Sequence, residues 1–314
     1  MTTSEKIVVA GFVGSMALIY AAEIALLSVV MLKRPSPTAA VLLSKPAVAL
    51  HILAVLGLAC LAYGRFIEPR WLDINTIRVP TGKLHNTTFR IVHISDLHCS
   101  DKPLNEHRMV PLINSLQPDI IVFTGDALND AGALPRLKNT LKSLNAKLAK
   151  LAVRGNFEVH YWRDLDLFGQ TGFKVLDRNC VSVEKNGEKI AVAGLSCEYD
   201  SGFEQLLHHA DADCFSVFLY HYPHLVEQMQ DAGPDLYLCG HTHGGQVALP
   251  FYGALITLSQ TGKKYEAGLY KLGRTRVYVN RGIGLENRPA PQVRFLARPE
   301  IAVFEIVPAQ AGDG

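Results

Sequence analysis

Two kinds of apolar pattern divide the chain. Ile7 to Leu32 reads IVVAGFVGSMALIYAAEIALLSVVML, apolar on every face of a helix and broken by one charge, Glu23. That run exceeds the roughly 20 residues needed to cross a hydrocarbon core. A signal peptide would carry a shorter apolar region of roughly 7–15 residues and a small-residue cleavage site. Here the run is longer and ends in Lys33-Arg34-Pro35. A second run, PAVALHILAVLGLACLAY from Pro46 to Tyr63, has no formal charge when His51 is neutral. Two spans joined by KRPSPTAAVLLSK are expected, the second also open to a re-entrant reading. Glu23 is costly in lipid and needs a partner, for which His51 is the candidate, unless either residue sits nearer the interface.

After YGRFIEPRW a polar stretch, DINTIRVPTGKLHNTT, reads as a linker leading into an edge strand. From Phe89 the pattern changes. FRIVHIS precedes Asp96, DIIVFTG precedes Asp126, AKLAVRG precedes Asn156, FSVFLY precedes His221 and DLYLCG precedes His241. KIAVAGL follows an Asn-Gly-Glu turn with a hairpin signature, and RVYVNRG comes near the end. Between these runs EHRMVPLINSLQ, LPRLKNTLKSLN and HLVEQMQDAG space their apolar residues as helices do. Alternating strands and helices predict an α/β fold with a largely parallel or mixed sheet.

Polar residues able to bind a metal follow the strand ends. In open α/β sheets the carboxyl ends of strands share one edge, where ligands bind. Asp96 and His98 in HISDLH stand two apart, so both reach one side. Asp126 and Asn156 each follow a glycine, His221 precedes Tyr222-Pro223, and CGHTHGG supplies His241 and His243. Each piece has a bland explanation: Asp is a common turn residue, and a lone histidine is more often a satisfied core group. The ordered set favours a metal site. Two carboxylates, one amide and four imidazoles, with no thiolate, suit Mn, Fe or Zn, with Mg as a weaker option. Seven donors are too many for one tetrahedral ion and suit two.

The ordered run D-x-H, GD, GN, H and GHTH resembles the calcineurin-like metallophosphoesterases, over about Phe89 to Ile306. The tail, from GHTHGGQVALPFYGAL through YVNRGIG to VRFLARPEIAVFEI, resembles a bacterial membrane-associated branch that includes a pyrophosphatase acting on UDP-diacylglucosamine in lipid A synthesis. The resemblance implies two mixed β-sheets packed together and flanked by helices, here preceded by two N-terminal transmembrane helices. It implies that Asp96, His98 and His243 hold one ion, that Asn156, His221 and His241 hold the other, and that Asp126 bridges them. Residues 1–65 would then be the anchor, 66–88 a linker and first strand, 89–307 the catalytic domain and 308–314 a flexible tail. One position departs: the family pattern GNH becomes GNFE, with Phe157 where a histidine stabilises the transition state or protonates the leaving group. Three readings stay open: His160 in FEVHYW supplies the imidazole, the leaving group needs no acid, or the protein is weak or inactive. The catalytic set expected from the resemblance is Asp126, Asn156 and His160.

Composition changes the picture little. Net charge is +2, which points to no nucleic-acid partner. Lys33, Arg34 and Lys45 in the loop face Lys6, Arg65, Arg70 and Arg78 across the membrane, a near balance that leaves orientation open. Six cysteines with no CxxC pair favour a reducing compartment. The expected setting is the bacterial inner membrane with the catalytic domain in the cytoplasm, and the expected partners are membrane lipids and a phosphoester substrate, lipid-linked in the leading reading. QVALPFYGALITLSQ, with Phe251 and Tyr252, reads as a lip for acyl chains or as a core strand and turn. Arg288, Arg294 and Arg298 are candidates to hold a second phosphate, as are Lys263 and Lys264, against the alternative of solvated or ion-paired side chains. A broad phosphodiesterase acting on soluble substrates, and a non-catalytic metal-binding membrane protein, are the competing functions.

Overall fold

The first apolar run forms one helix, α1 (Thr3–Leu32), a short α2 (Thr38–Leu42) follows, and the second run forms α3 (Lys45–Ala62). The computed structural model describes residues 2–32, 38–208, 213–229, 233–287 and 291–310. Helices α1 and α3 are long and apolar enough to cross a bilayer. Leu18, Ile24, Ile52 and Leu58 stand exposed along them, as side chains bound for lipid do. The helices pack on each other: Tyr20 Oη donates to Ala54 O (3.2 Å), and His51 Nδ1 lies 2.7 and 2.9 Å from the two Glu23 oxygens. Glu23 has the expected partner, His51.

No free linker separates α3 from the rest of the chain. Helix α3 runs on through a π-turn at Tyr63–Ile67 into a 3-10 turn at Glu68–Arg70. There Gly64 O accepts the Arg294 N–H (2.9 Å), and buried Glu68 accepts the N–H groups of Leu296 and Ala297 (2.9 and 2.6 Å). At the other end of the anchor Glu5 is also buried, accepting the N–H and hydroxyl of Thr257 (both 3.1 Å). A boundary at residue 65 therefore falls inside a docked segment.

The rest of the chain builds two mixed sheets. The first has the order β1 (Asp73–Thr81), β14 (Glu300–Pro308), β2 (Phe89–Ile94), β3 (Ile120–Phe123), β4 (Ala149–Ala152), β5 (Lys174–Val175). Strands β2 to β5 run parallel, β14 is antiparallel to β2, and β1 is the expected edge strand, parallel to β14. The second has the order β12 (Gly268–Leu272), β13 (Thr275–Val279), β9 (Leu236–Cys239), β8 (Phe215–Leu219), β7 (Glu188–Gly194), β6 (Asn179–Lys185). Its four central strands are parallel and its outer pairs antiparallel. A small ribbon, β10 (Ala248–Leu249) and β11 (Gly253–Ala254), stands apart. The β6–β7 turn has Asn186 and Gly187 at φ 52° and 81°, the left-handed pair a two-residue hairpin needs.

The inner faces of the sheets meet over Phe89, Ile91 and Val122 from one and Val192, Phe215 and Leu238 from the other. Helices α4 (Glu106–Ser115) and α5 (Leu134–Lys142) cover the first sheet through Met109, Ile113, Leu137 and Leu141. Register positions the site. Ile94, Phe123 and Ala152 are level across β2, β3 and β4, and Gly194, Leu219 and Leu238 across β7, β8 and β9. The loops that leave both sheets at their carboxyl ends therefore begin at one edge.

Candidate metal centre

All seven expected ligands lie on loops at that edge or just beyond it. Asp96 and His98 follow β2, Asp126 follows β3, and His221, His241 and His243 follow β8 and β9. Asn156 opens the short helix α6 (Asn156–Tyr161) after β4. The loops curl sharply: Asp96, His98, Asp126, His241 and His243 have φ of 50°, 43°, 59°, 73° and 52°. Non-glycine residues seldom adopt that region, and a cluster of them marks a functional site. Two glycines answer for close approach. A Cβ at Gly155 would lie 2.2 Å from Asp126 Oδ1, and one at Gly240 2.1 Å from Asp96 Oδ2.

The donors form two overlapping groups, Asp96–His98–His243 and Asp96–Asp126–His221, all buried and with ligand atoms within 4.8 Å of one another. Asp126 Oδ2 sits between the halves, 3.7 Å from His98 Nε2 and 3.4 Å from His221 Nε2. His243 Nε2 is 3.4 Å from Asp96 Oδ1. His221 Nε2 faces Asn156 Oδ1 at 2.9 Å, and the His241 ring packs against His221 with centroids 5.2 Å apart.

The protein's own hydrogen bonds test whether cations fit. His221 Nδ1 donates to Thr124 O (2.7 Å), and His98 Nδ1 donates to Asn129 Oδ1 (2.8 Å). Each bond fixes the Nδ1–H tautomer, leaving Nε2 with its lone pair aimed inward. With Nε2 unprotonated, the imidazole nitrogens, carboxylate oxygens and amide oxygen are acceptors converging on acceptors, a set that bound cations would satisfy together. The charges agree. Burial alone would raise the Asp96 carboxyl, but the imidazoles of His243, His221 and His98 hold it far below its usual range. Asp126 is held low in the same way by His221 and His98. Burial works against a charged His221, yet Asp126 and Asp96 raise it to about 10, so the pocket demands positive charge there. His98 and His241 are lowered to about 4, chiefly by burial.

Some expected contacts fail. Arg294 does not reach substrate: it is fully buried, and it donates to Gly282 O, Gly284 O and Ala297 O, with Nη2 3.2 Å from His243 Nδ1. It braces the loop under the candidate ligand His243. Arg298 lies over the Trp71 ring (3.9 Å) and near Asp73 (3.8 Å), on the surface beside β1. Arg288 falls outside the described residues. Lys263 pairs with Glu266 and covers Tyr252, and Lys264 pairs with Glu227. His160 is exposed on α6 with Nδ1 bonded to Asn156 O (2.7 Å). Phe157 is buried edge-on against the His98 ring, with centroids 4.6 Å apart, so it packs a candidate ligand.

Two supporting residues escaped the sequence reading. Glu158 accepts the N–H groups of Asp126, Ala127 and Gly155 (2.8, 2.7 and 2.6 Å) from a buried position. Its signal is a carboxylate three residues beyond Gly155, where it caps α6. Asn129, three residues after Asp126, orients His98 and is held by Leu285 O (2.9 Å). Two cavities flank the ligands. One of about 320 Å³ beside His98 has Arg65, Arg70 and Lys102 together with Asp101, Glu106 and Asp130 in its walls, and one of about 340 Å³ beside His241 and His243 is largely apolar.

The profile of the calcineurin-like phosphoesterases matches residues 89–245. An uncharacterized metallophosphoesterase of Bacillus subtilis, YkuE, is 35% identical over 259 residues, covering 78% of this chain and 88% of the relative. The Escherichia coli phosphodiesterase YaeI is 28% identical, over 78% of this chain and 92% of its own length. The UDP-2,3-diacylglucosamine pyrophosphatase LpxG of Chlamydia muridarum is 27% identical, over 77% and 91%.

Proposed function

Because the chain belongs to the calcineurin-like phosphoesterase family, we propose that it is a membrane-anchored, two-metal hydrolase that cleaves a pyrophosphate bond in a nucleotide-linked lipid. The phosphoesterase part rests on one observation: the converging acceptors of Asp96, Asp126, Asn156, His98, His221 and His243 in a buried pocket. The lipid part draws on the two bilayer-length helices and on the likeness to a UDP-2,3-diacylglucosamine pyrophosphatase.

Asp96, His98 and His243 would hold one divalent cation, Asn156, His221 and His241 the other, and Asp126 both. When bound, such a pair activates a water for attack and neutralises charge developing on the phosphoryl oxygens. The chain's own residues prepare that site. Thr124 and Asn129 fix the imidazole tautomers, Glu158 ties the backbone beside Asp126 to that beside Asn156, and Phe157 packs His98 in place. Hydrolysis forms one P–O bond to the water oxygen and breaks another, and the departing oxygen needs either a proton or a low basicity. Phe157 cannot protonate it, and His160 spends Nδ1 on its own helix. A nucleotide phosphate leaves without an acid, which fits a pyrophosphate substrate.

Purified full-length protein with Mn²⁺ is expected to hydrolyse an aryl phosphodiester. In detergent it is expected to split UDP-diacylglucosamine into a nucleoside monophosphate and a lipid phosphate. No turnover of either with Mn, Fe, Zn or Mg would leave the non-catalytic reading standing. Turnover of the aryl ester alone would favour the soluble-substrate reading.

Phe157→His probes the leaving group. On a substrate with a good leaving group the rate should stay within a few-fold. On an alkyl ester it should rise towards the roughly 10²–10⁴-fold that a positioned acid contributes. The assay is a pair of esters of widely different leaving-group pKa on wild type, Phe157→His and His160→Ala. A selective loss in His160→Ala on the poor leaving group would instead make His160 the acid.

A further inference from the structure

The apolar cavity beside His241 and His243 has an unusual wall. Val9, Phe12 and Val13 of α1 line one side, and Leu255 and Leu258 line the other. Positions 9, 12 and 13 share one helical face, one turn beyond Glu5, whose bonds to Thr257 fasten α1 to that loop. The inner end of the cavity is a pair of metal ligands. Its outer end is a helix meant for lipid, on which Phe12 and Val13 remain 37% and 58% exposed. The hollow therefore joins a helix of bilayer length to two of the candidate ligands.

We propose that α1 is part of the active site: Val9, Phe12 and Val13, with Leu255 and Leu258, form a groove that takes an acyl chain of the substrate. This rests on the lipid-linked reading above and makes the first helix a specificity element as well as a tether. Three features point to an acyl chain. The groove is continuous with the metal centre, its volume of about 340 Å³ lies within the range of small-molecule sites, and its open side is a membrane-facing helix.

The test uses two phosphodiesters with the same leaving group, methyl p-nitrophenyl phosphate and dodecyl p-nitrophenyl phosphate, on full-length protein in one detergent. The readout is the ratio of kcat/KM for dodecyl over methyl. Wild type is expected to prefer dodecyl at least about tenfold. Val13→Trp, which fills the groove, should lower that ratio about tenfold, and Val9→Trp should do the same from one turn away, in case the first variant fails to fold. Ile24→Trp, lower on α1 where the residue is 64% exposed, should leave the ratio unchanged and controls for partitioning into micelles. A wild type without chain preference, or filled variants that keep it, overturns the groove while leaving the phosphoesterase intact. Loss of the preference in Ile24→Trp as well overturns it too, since a general disturbance of the helix would then explain the effect. A wild type that hydrolyses neither ester overturns the underlying function instead.

Discussion

Asp126→Ala is expected to abolish hydrolysis and to release both cations. Its Oδ2 stands between His98 Nε2 and His221 Nε2, and its Oδ1 accepts the Phe157 N–H (2.8 Å). Losing it removes a carboxylate that lies between the two halves and frees the start of α6. Metal assistance supplies several kcal/mol of transition-state stabilisation, so the fall should be on the order of 10³-fold or more. Metal content per protein and turnover of an aryl phosphodiester, measured on the same preparation, decide it. Asp126→Asn keeps the volume and one acceptor, so it should retain some metal with little activity. If Asp126→Ala kept wild-type turnover with a full metal load, the two-cation site would be wrong.

The candidate ligands were legible because each is a chemically distinctive residue just past an apolar run, and strand ends at one edge are brought together by topology alone. All seven arrive there. The glycines were legible for the same reason, since Gly155 and Gly240 precede ligands and lie against carboxylates. What the sequence hid depends on long-range packing. Arg294 looks like a surface phosphate ligand in NRPAPQVRFLARPE, yet the chain buries it under His243, where backbone carbonyls satisfy it. No local pattern separates those fates, because an arginine is equally suited to phosphate and to a nest of carbonyls. The docking of the anchor was hidden likewise. Glu5 and Glu68 sit in or beside apolar helices, where a carboxylate reads as an interfacial charge. Each instead accepts bonds from loops more than 200 residues away. Phe157 was visible as a departure, but its reason needed the His98 ring beside it.

Glu158→Ala is expected to cost both stability and metal. One buried carboxylate accepts three backbone N–H groups, from Asp126, Ala127 and Gly155. A buried donor left unsatisfied costs about 1–3 kcal/mol, so the variant should lose about 3 kcal/mol or more. At about 2–4 °C per kcal/mol for a domain of this size, Tm should drop on the order of 10 °C. Metal affinity should fall as well, because the same bonds hold the backbone of Asp126 and the residue before Asn156. Glu158→Gln retains one acceptor oxygen and should fall between. Its pH dependence separates this role from simple packing. Burial, then the nearby Asp126, raise the Glu158 carboxyl from 4.5 to about 7. The folded protein therefore binds an extra proton between those values, and wild-type stability from this group is fully present below about 4.5 and declines as pH rises to about 7. Glutamine does not titrate, so the deficit of Glu158→Gln should be largest near pH 4.5 and shrink towards pH 7, by at most about 1.4 kcal/mol per unit. Thermal melts of both proteins in chelator across that window measure it. A deficit that stayed constant with pH would mean that burial beside Asp126 does not outweigh the three N–H donors and that Glu158 does not titrate in this window.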